Sequence, residues 1–182
     1  MRLDNLLASH RAVSGQGAGR RWLTEELNHA LIIRIASEFQ GFVRDLHDEC
    51  LNIFIDYGES RHEAFDVIVR NSLELRRKID RGNATWPNIC EDSSRLGISL
   101  AQELRASHPR QYRGWIEKLR RLNDARNAIA HGNHHAITAS AAVQPLTLGS
   151  FRIWRSALRS LASGIDKTAR EYLEGLSGTR PW

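Results

Sequence analysis

The 182-residue chain has only four prolines, and no run of Val, Ile or Thr alternates with polar residues. A half-buried β-strand needs that alternation, so the sequence argues against a sheet. The two cysteines, Cys50 and Cys90, stand alone without a CxxC pair. Their isolation suggests neither a disulfide framework nor a thiolate metal site, and it favours a reducing compartment, the cytoplasm.

Long apolar segments are also missing. The longest, ALIIRIA at residues 30–36, is interrupted by Arg34 and is far shorter than the roughly 20 residues of a membrane-spanning helix. The amino terminus has no apolar core typical of a secretory signal, so we expect no membrane association. The 26 Lys and Arg residues outnumber the 21 Asp and Glu residues, and the net charge of +5 mildly favours an anionic partner.

Apolar residues that recur every three or four positions predict an all-α fold. We expect one helical domain over residues 1–182, a bundle of about five to seven helices. Residues 1–21 are predicted to hold an N-terminal helix and a Gly-rich linker, and residues 177–182 a loose tail. Six helices are predicted near residues 3–11, 24–55, 62–80, 99–107, 111–130 and 148–176. One further short helix is predicted within residues 83–97, and residues 132–147 are predicted to form a loop.

The stretch RRLNDARNAIAHGN, residues 120–133, carries the main functional signal. Arg126 falls within the apolar stripe that Leu119, Leu122 and Ile129 form on the predicted helix. A guanidinium cannot lose its charge there, so it needs a carboxylate, a wet cleft or an interface. Glu38 is a similar anomaly, since it is predicted to lie within the stripe of the long helix at residues 24–55. We therefore expect Glu38 either to pair with Arg126 or to support a site around it.

Asn127 and His131 are four residues apart and share one helix face, which Asp124 and Arg120 extend. On an ideal helix Arg126 and His131 would point about 140° apart. Glycine favours the backbone conformation that ends helices, so Gly132 is predicted to end this helix at His131 and free the histidine ring. Two interpretations of His131 remain open: a site residue, or a cation beside the negative end of the helix dipole.

The segment RNAIAHG, residues 126–132, resembles the R-x4-6-H signature of the HEPN superfamily, with the polar residue that commonly follows the arginine. The segment LNHALIIRIASEFQGFVRDL, residues 27–46, is similar to the glutamate-containing helix of HEPN relatives of the RiboL-PSP type. The resemblance follows the helix order of most of the chain and is specific over these two segments.

The resemblance implies a metal-independent endoribonuclease that needs no cofactor and acts as a homodimer, with both motif helices lining one cleft. It implies catalytic roles for Arg126, His131 and Asn127, with Glu38, Asp124 and Arg120 in support. A ribose 2′-OH would attack the neighbouring phosphate, so RNA would be cut and DNA would not. The resemblance also implies a toxin or antiviral effector restrained by a partner protein, an antitoxin.

Three other interpretations remain open. His131, His134 and His135 suggest a metal site, but no carboxylate or cysteine is placed nearby to complete four ligands. A HEPN-like module without catalysis would bind RNA or a partner protein through the same basic residues. A purely structural helical protein would use Arg126 as half of an ion pair.

Overall fold

The structure is a computed structural model that describes residues 2–13, 20–57 and 63–182. In these residues it contains helices and no β-strand, which confirms the predicted all-α class. The described helices are α1 (Arg2–Val13), α2 (Arg20–Tyr57), α3 (Glu63–Glu74), α4 (Lys78–Arg81), α5 (Trp86–Arg95), α6 (Leu100–Ser107), α7 (Tyr112–Ala130), α8 (His134–Val143) and α9 (Leu148–Ser177). The predicted Gly-rich linker, at residues 14–19, lies outside the described residues.

The three long helices α2, α7 and α9 pack on one another and form the centre of the bundle. Their inward faces supply the core, and each fully buried Leu or Phe stabilises the fold by about 1.5–3 kcal/mol. The least exposed of the large side chains on these faces are Leu31, Ile32, Leu51, Leu119, Leu122, Phe151, Trp154 and Leu161. Helix α6 also approaches α9 closely at Gly164. A Cβ atom added there would lie 2.8 Å from Leu104 Cδ2, closer than real Cβ contacts.

The helix predicted over residues 62–80 is in fact two helices, α3 and α4. The chain leaves helical geometry at Arg77, which has φ −60° and ψ 125°. Asp92 of α5 then accepts the backbone N–H groups of Lys78 and Ile79 at 2.8 and 2.9 Å, which caps the start of α4. The break depends on a carboxylate 14 residues further along the chain, so local periodicity did not reveal it.

The segment predicted as a loop at residues 132–147 contains helix α8. Asn133 Oδ1 accepts the backbone N–H of Ala136 at 3.0 Å, which makes Asn133 the N-cap of that helix. The alanines that follow have the highest helix propensity of all residues. No residue of α8 is buried, so this helix lacks the apolar stripe from which helices are usually predicted.

The ends of the chain's long helices also differ from prediction. Helix α2 begins at Arg20, four residues before the predicted N-cap Thr24, while α9 ends one residue after the predicted Leu176. In the tail after α9, Trp182 is half-buried and packs against the core. None of the described helices has both the length and the apolar character required to cross a bilayer.

Candidate active site

Helix α7 carries the motif, and its inward face is apolar along most of its length. Leu119, Leu122 and Ala125 are buried, and Arg126 follows on the same side of the helix. Arg126 lies within a turn and a half of the helix end and is half-buried, so its guanidinium reaches the edge of the core. The predicted position of this arginine within the apolar stripe is therefore confirmed.

Among the residues that the structure describes, the guanidinium of Arg126 contacts an amide and no carboxylate. Its Nη1 donates to Asn127 Oδ1 at 3.1 Å, and no Asp or Glu oxygen of the described residues lies within 4 Å of it. The predicted pair with Glu38 is wrong, because Glu38 accepts from Arg34 Nε at 2.8 Å, one turn away on α2. The buried face of α2 is centred on residues such as Phe39 and Val43, so Glu38 lies on its exposed flank.

Asn127 is held from a second direction by the connector between α4 and α5. Asn83 Nδ2 donates to Asn127 Oδ1 at 2.6 Å, and Asn88 Nδ2 in turn donates to the backbone oxygen of Asn83 at 2.9 Å. One turn earlier on α7, the buried Asn123 donates to the backbone oxygen of Ala84 at 3.1 Å. Two asparagines of α7 thus fix the connector against the motif, and the Nδ2 of Asn127 has no described partner.

Asn83 and Asn123 were missed as candidate residues in the sequence. Asn83 is 44 residues from Asn127, and nothing in its local pattern indicates the contact. Asn123 does leave a signal, because it interrupts the apolar face of α7 three residues before Arg126. A buried amide needs hydrogen-bond partners, and here the connector supplies one.

His131 ends α7, as predicted, and Gly132 follows with a φ of +60°. The N–H of Gly132 donates to Ile129 O at 3.0 Å and that of Asn133 to Ala128 O at 3.1 Å. This pair of bonds is the Schellman motif, which satisfies carbonyls that the helix end leaves open. His131 is exposed, and its side chain makes no hydrogen bond with the described residues.

The structure therefore brings some of the predicted site residues together and leaves others apart. Arg126 and Asn127 are hydrogen-bonded, whereas the His131 side chain is bonded to neither within one chain. Arg120 and Asp124 form an ion pair at 2.7 Å on the exposed surface of α7. Arg120 also donates to Glu117, and neither Arg120 nor Asp124 is bonded to Arg126, so their charges are largely neutralised.

Glu117 accepts hydrogen bonds from both Arg120 and Arg121 on the same surface of α7. Hydrogen bonds from Arg120 and Arg121, at 2.9 and 2.8 Å, lower the pKa of Glu117 to about 2 despite a small opposing effect of burial. Arg120, Arg121 and Asp124 line a cleft of about 220 Å³ between α7, α8 and α9. Most of its remaining lining comes from small or apolar residues of α8 and from Trp154.

The histidines of the HGNHH segment do not form a cluster with other ligand residues. His134 and His135 are exposed in the first turn of α8. Across the described residues, no group of three or more His, Cys, Asp or Glu side chains could hold a metal ion. Comparison of the chain with protein families, with curated proteins and with solved structures finds no match.

Proposed function

We propose that the protein is a metal-independent endoribonuclease of the HEPN type. The observation that supports this most is the state of Arg126, a half-buried guanidinium that no described carboxylate neutralises. An uncompensated cation at the edge of a core is unfavourable unless an anion or a wet cleft meets it. A phosphate diester is such an anion, and its oxygens suit the planar donor fork of arginine.

The residues around Arg126 fit the reaction by chemical type. Arg126 binds a non-bridging phosphate oxygen and stabilises the charge that accumulates in the transition state. Asn127 Oδ1 accepts hydrogen bonds from Arg126 and Asn83, so its Nδ2 remains available to donate to a second phosphate oxygen. His131 is exposed, and an imidazole is the side chain that most often serves as a general acid or base.

The proposed step is an internal transfer of the phosphoryl group. The ribose 2′-oxygen forms a bond to phosphorus while its proton passes to a histidine, and the bond from phosphorus to the 5′-oxygen breaks. The leaving 5′-oxygen takes a proton from a second histidine. The products are a 2′,3′-cyclic phosphate and a 5′-hydroxyl, and DNA without the 2′-OH is not cut.

A homodimer provides the second histidine and relieves a geometric problem of the single chain. Within one chain the His131 side chain is not bonded to Arg126 or Asn127. Two α7 ends that face each other across a twofold axis would place both copies of Arg126 and His131 around one phosphate. We further propose, from the family resemblance, a cytoplasmic toxin or antiviral effector that a partner protein restrains.

The test is cleavage of total RNA in EDTA by the purified protein and by His131→Ala and Arg126→Ala variants. General acid–base catalysis contributes about 100- to 10,000-fold in rate, and one donor that stabilises transition-state charge contributes about 100- to 1,000-fold, so we expect each variant to lose at least about 100-fold of the activity. Matched controls are His135→Ala and Arg152→Ala, which remove the same residue types at exposed positions outside the site. Both controls should cut RNA at the wild-type rate and leave a 2′,3′-cyclic phosphate end.

The oligomeric state is measured in parallel by sedimentation velocity at micromolar concentration. An active protein that sediments as a monomer would reject the shared cleft. A folded dimer that cuts no RNA would reject catalysis. In that case binding of a 2′-O-methyl RNA, compared between wild type and Arg126→Ala, would test the non-catalytic RNA-binding module instead.

A further inference from the structure

A second basic cleft, of about 730 Å³, lies away from Arg126 and His131, between the end of α3, helix α4 and helix α5. Its size is within the range of about 300–1,000 Å³ that is usual for small-molecule sites. Four cationic side chains line it, and Glu91 is the one carboxylate among its lining residues. The cations are Arg76, Lys78, Arg81 and Arg95.

Three of these four cations have no acidic partner in the described part of the chain. Lys78 Nζ lies 3.4 Å from Glu91 Oε1, so that pair is neutral overall. No Asp or Glu oxygen of the described residues lies within 4 Å of the guanidinium of Arg76, Arg81 or Arg95. Like charges gathered in one cleft repel one another and raise the local concentration of anions.

Two of the guanidiniums are held in place by backbone carbonyls. Arg81 Nη2 donates to Leu75 O at 3.2 Å, and Arg95 Nη2 donates to Ser72 O. These carbonyls lie in and just after the last turn of α3, where helix carbonyls lack helical partners. Each contact uses one of the five N–H donors of an arginine, so most donors stay available. The guanidiniums are thus oriented before any ligand arrives, which lowers the entropic cost of binding.

One of the remaining guanidinium donors lacks a hydrogen-bond partner among the described residues. Arg95 Nη1 is shielded from water and has no hydrogen-bond partner in the described part of the chain. A buried donor without a partner is unfavourable, because it has lost its hydrogen bonds to water. Arg76 differs in being exposed to solvent, but it too makes no hydrogen bond or ion pair with described residues. A bound oxyanion would supply acceptors to both.

We infer that this cleft is a binding site for phosphate groups, formed by Arg76, Arg81 and Arg95 and separate from the Arg126 site. Phosphate oxygens accept the paired, charge-assisted hydrogen bonds that guanidinium groups donate best. Two sources carry that chemistry, a free pyrophosphate-containing compound or nucleotide, and the backbone of a bound nucleic acid. The inference does not depend on catalysis at His131.

The cleft is close enough to the candidate active site for one nucleic-acid strand to reach both. Arg81 belongs to the cleft, and Asn83 is hydrogen-bonded to Asn127. Arg81 and Asn83 are two residues apart, so their Cα atoms lie at most about 7 Å from each other. A strand bound at Arg126 would therefore find further phosphate-binding groups at this end of the molecule.

The test compares the double variant Arg76→Gln/Arg81→Gln with the control Arg152→Gln/Arg159→Gln. Both remove two positive charges, but the control residues are exposed on α9, outside the cleft. Within the described residues, the one hydrogen bond or ion pair that these variants remove is the Arg81 bond to Leu75, so both should fold. Calorimetry measures the binding of inorganic pyrophosphate in metal-free, low-salt buffer. Fluorescence anisotropy measures the binding of an uncleavable 2′-O-methyl RNA.

We expect the cleft variant to bind pyrophosphate about tenfold or more weakly than the control, because charged hydrogen bonds are lost. If RNA affinity falls together with pyrophosphate affinity, the slope of log binding constant against log salt concentration should become shallower by about 0.7 per lost phosphate contact. That result would identify the nucleic-acid backbone as the source of the phosphate groups. If RNA affinity is unchanged, a free phosphate compound is the source. Equal binding of both probes by the two variants, or no binding of either probe by wild type, overturns the inference. Either result can occur whether or not the protein cuts RNA.

Discussion

Two inward-facing arginines of this protein have opposite surroundings. Arg77 is 7% exposed and donates to the carboxylates of Asp48 and Asp80, with its Nη1 also 3.4 Å from His47 Nδ1. Arg126 is half-buried and donates to one amide oxygen. We call Arg77, Asp48, Asp80 and His47 the Arg77 cluster. Carboxylates match the charge of Arg77, whereas no carboxylate of the described residues matches the charge of Arg126.

The pKa values in the Arg77 cluster reflect this matching. Burial alone would raise the pKa of Asp80, but hydrogen bonds and positive charge from Arg77 and Arg44 lower it below the ordinary value. Burial lowers the pKa of His47, and the charge of Arg77 lowers it further, against smaller opposite effects of Asp92 and Asp48. The cluster thus favours a charged Asp80 carboxylate and a neutral His47, as expected of a structural ion-pair network.

The largest expected effect on the free energy of unfolding comes from replacing Arg77 with methionine, compared with the same replacement at Arg126. Removing one partner from a buried ion pair costs about 3–5 kcal/mol, and less where the carboxylates are partly hydrated, as Asp48 and Asp80 are. We expect Arg77→Met to lower the free energy of unfolding by about 2–3 kcal/mol and Arg126→Met by less than about 1 kcal/mol. Urea unfolding measures both. Equal losses would show that Arg126 is as structural as Arg77.

The next effect is a pH dependence that belongs to the Arg77 cluster. Because the pKa of His47 is lowered in the folded protein, the unfolded chain binds more protons below its ordinary pKa of about 6.5. Stability should therefore be fully present above that pH and decline as the pH falls from about 6.5 towards the lower folded pKa. His47→Gln should flatten this part of the profile of unfolding free energy against pH.

A smaller effect concerns the helix end that presents His131. Gly132 has a φ of +60°, and a Cβ atom there would meet nothing within 4 Å, so the cost of Gly132→Ala is conformational strain alone. We expect a loss of about 1 kcal/mol in unfolding free energy. Gly175→Ala in α9 also meets open space but needs no left-handed backbone, so it should stabilise by about 0.5 kcal/mol. A loss at both glycines would contradict the strain argument.

The smallest effect tests the pairing of Glu38. Its contact with Arg34 is a partly exposed pair four residues apart, and such pairs contribute about 0.3–0.5 kcal/mol. Glu38→Gln should cost no more than this. In a double-mutant cycle, Glu38→Gln and Arg126→Met should be additive within about 0.3 kcal/mol. A coupling above 1 kcal/mol would restore the ion pair between these two residues and weaken the argument for an anion at Arg126.

The sequence by itself determined the helical class, helix α7 with its end at His131 and Gly132, and the inward position of Arg126. Each of these depends on neighbours within about one helical turn, where backbone geometry fixes which residues share a face. Periodicity also predicted α9 to within one residue of each end.

Only the tertiary structure decided what the polar residues contact. The break between α3 and α4 needs Asp92, the orientation of Asn127 needs Asn83, and Glu38 lies outside the stripe predicted for it. Partners of this kind are 14 to 44 residues away in the sequence, and they meet because apolar faces elsewhere dock the helices. A helical period shows which way a charged side chain points, but the packing of other helices determines whether an opposite charge is there to meet it.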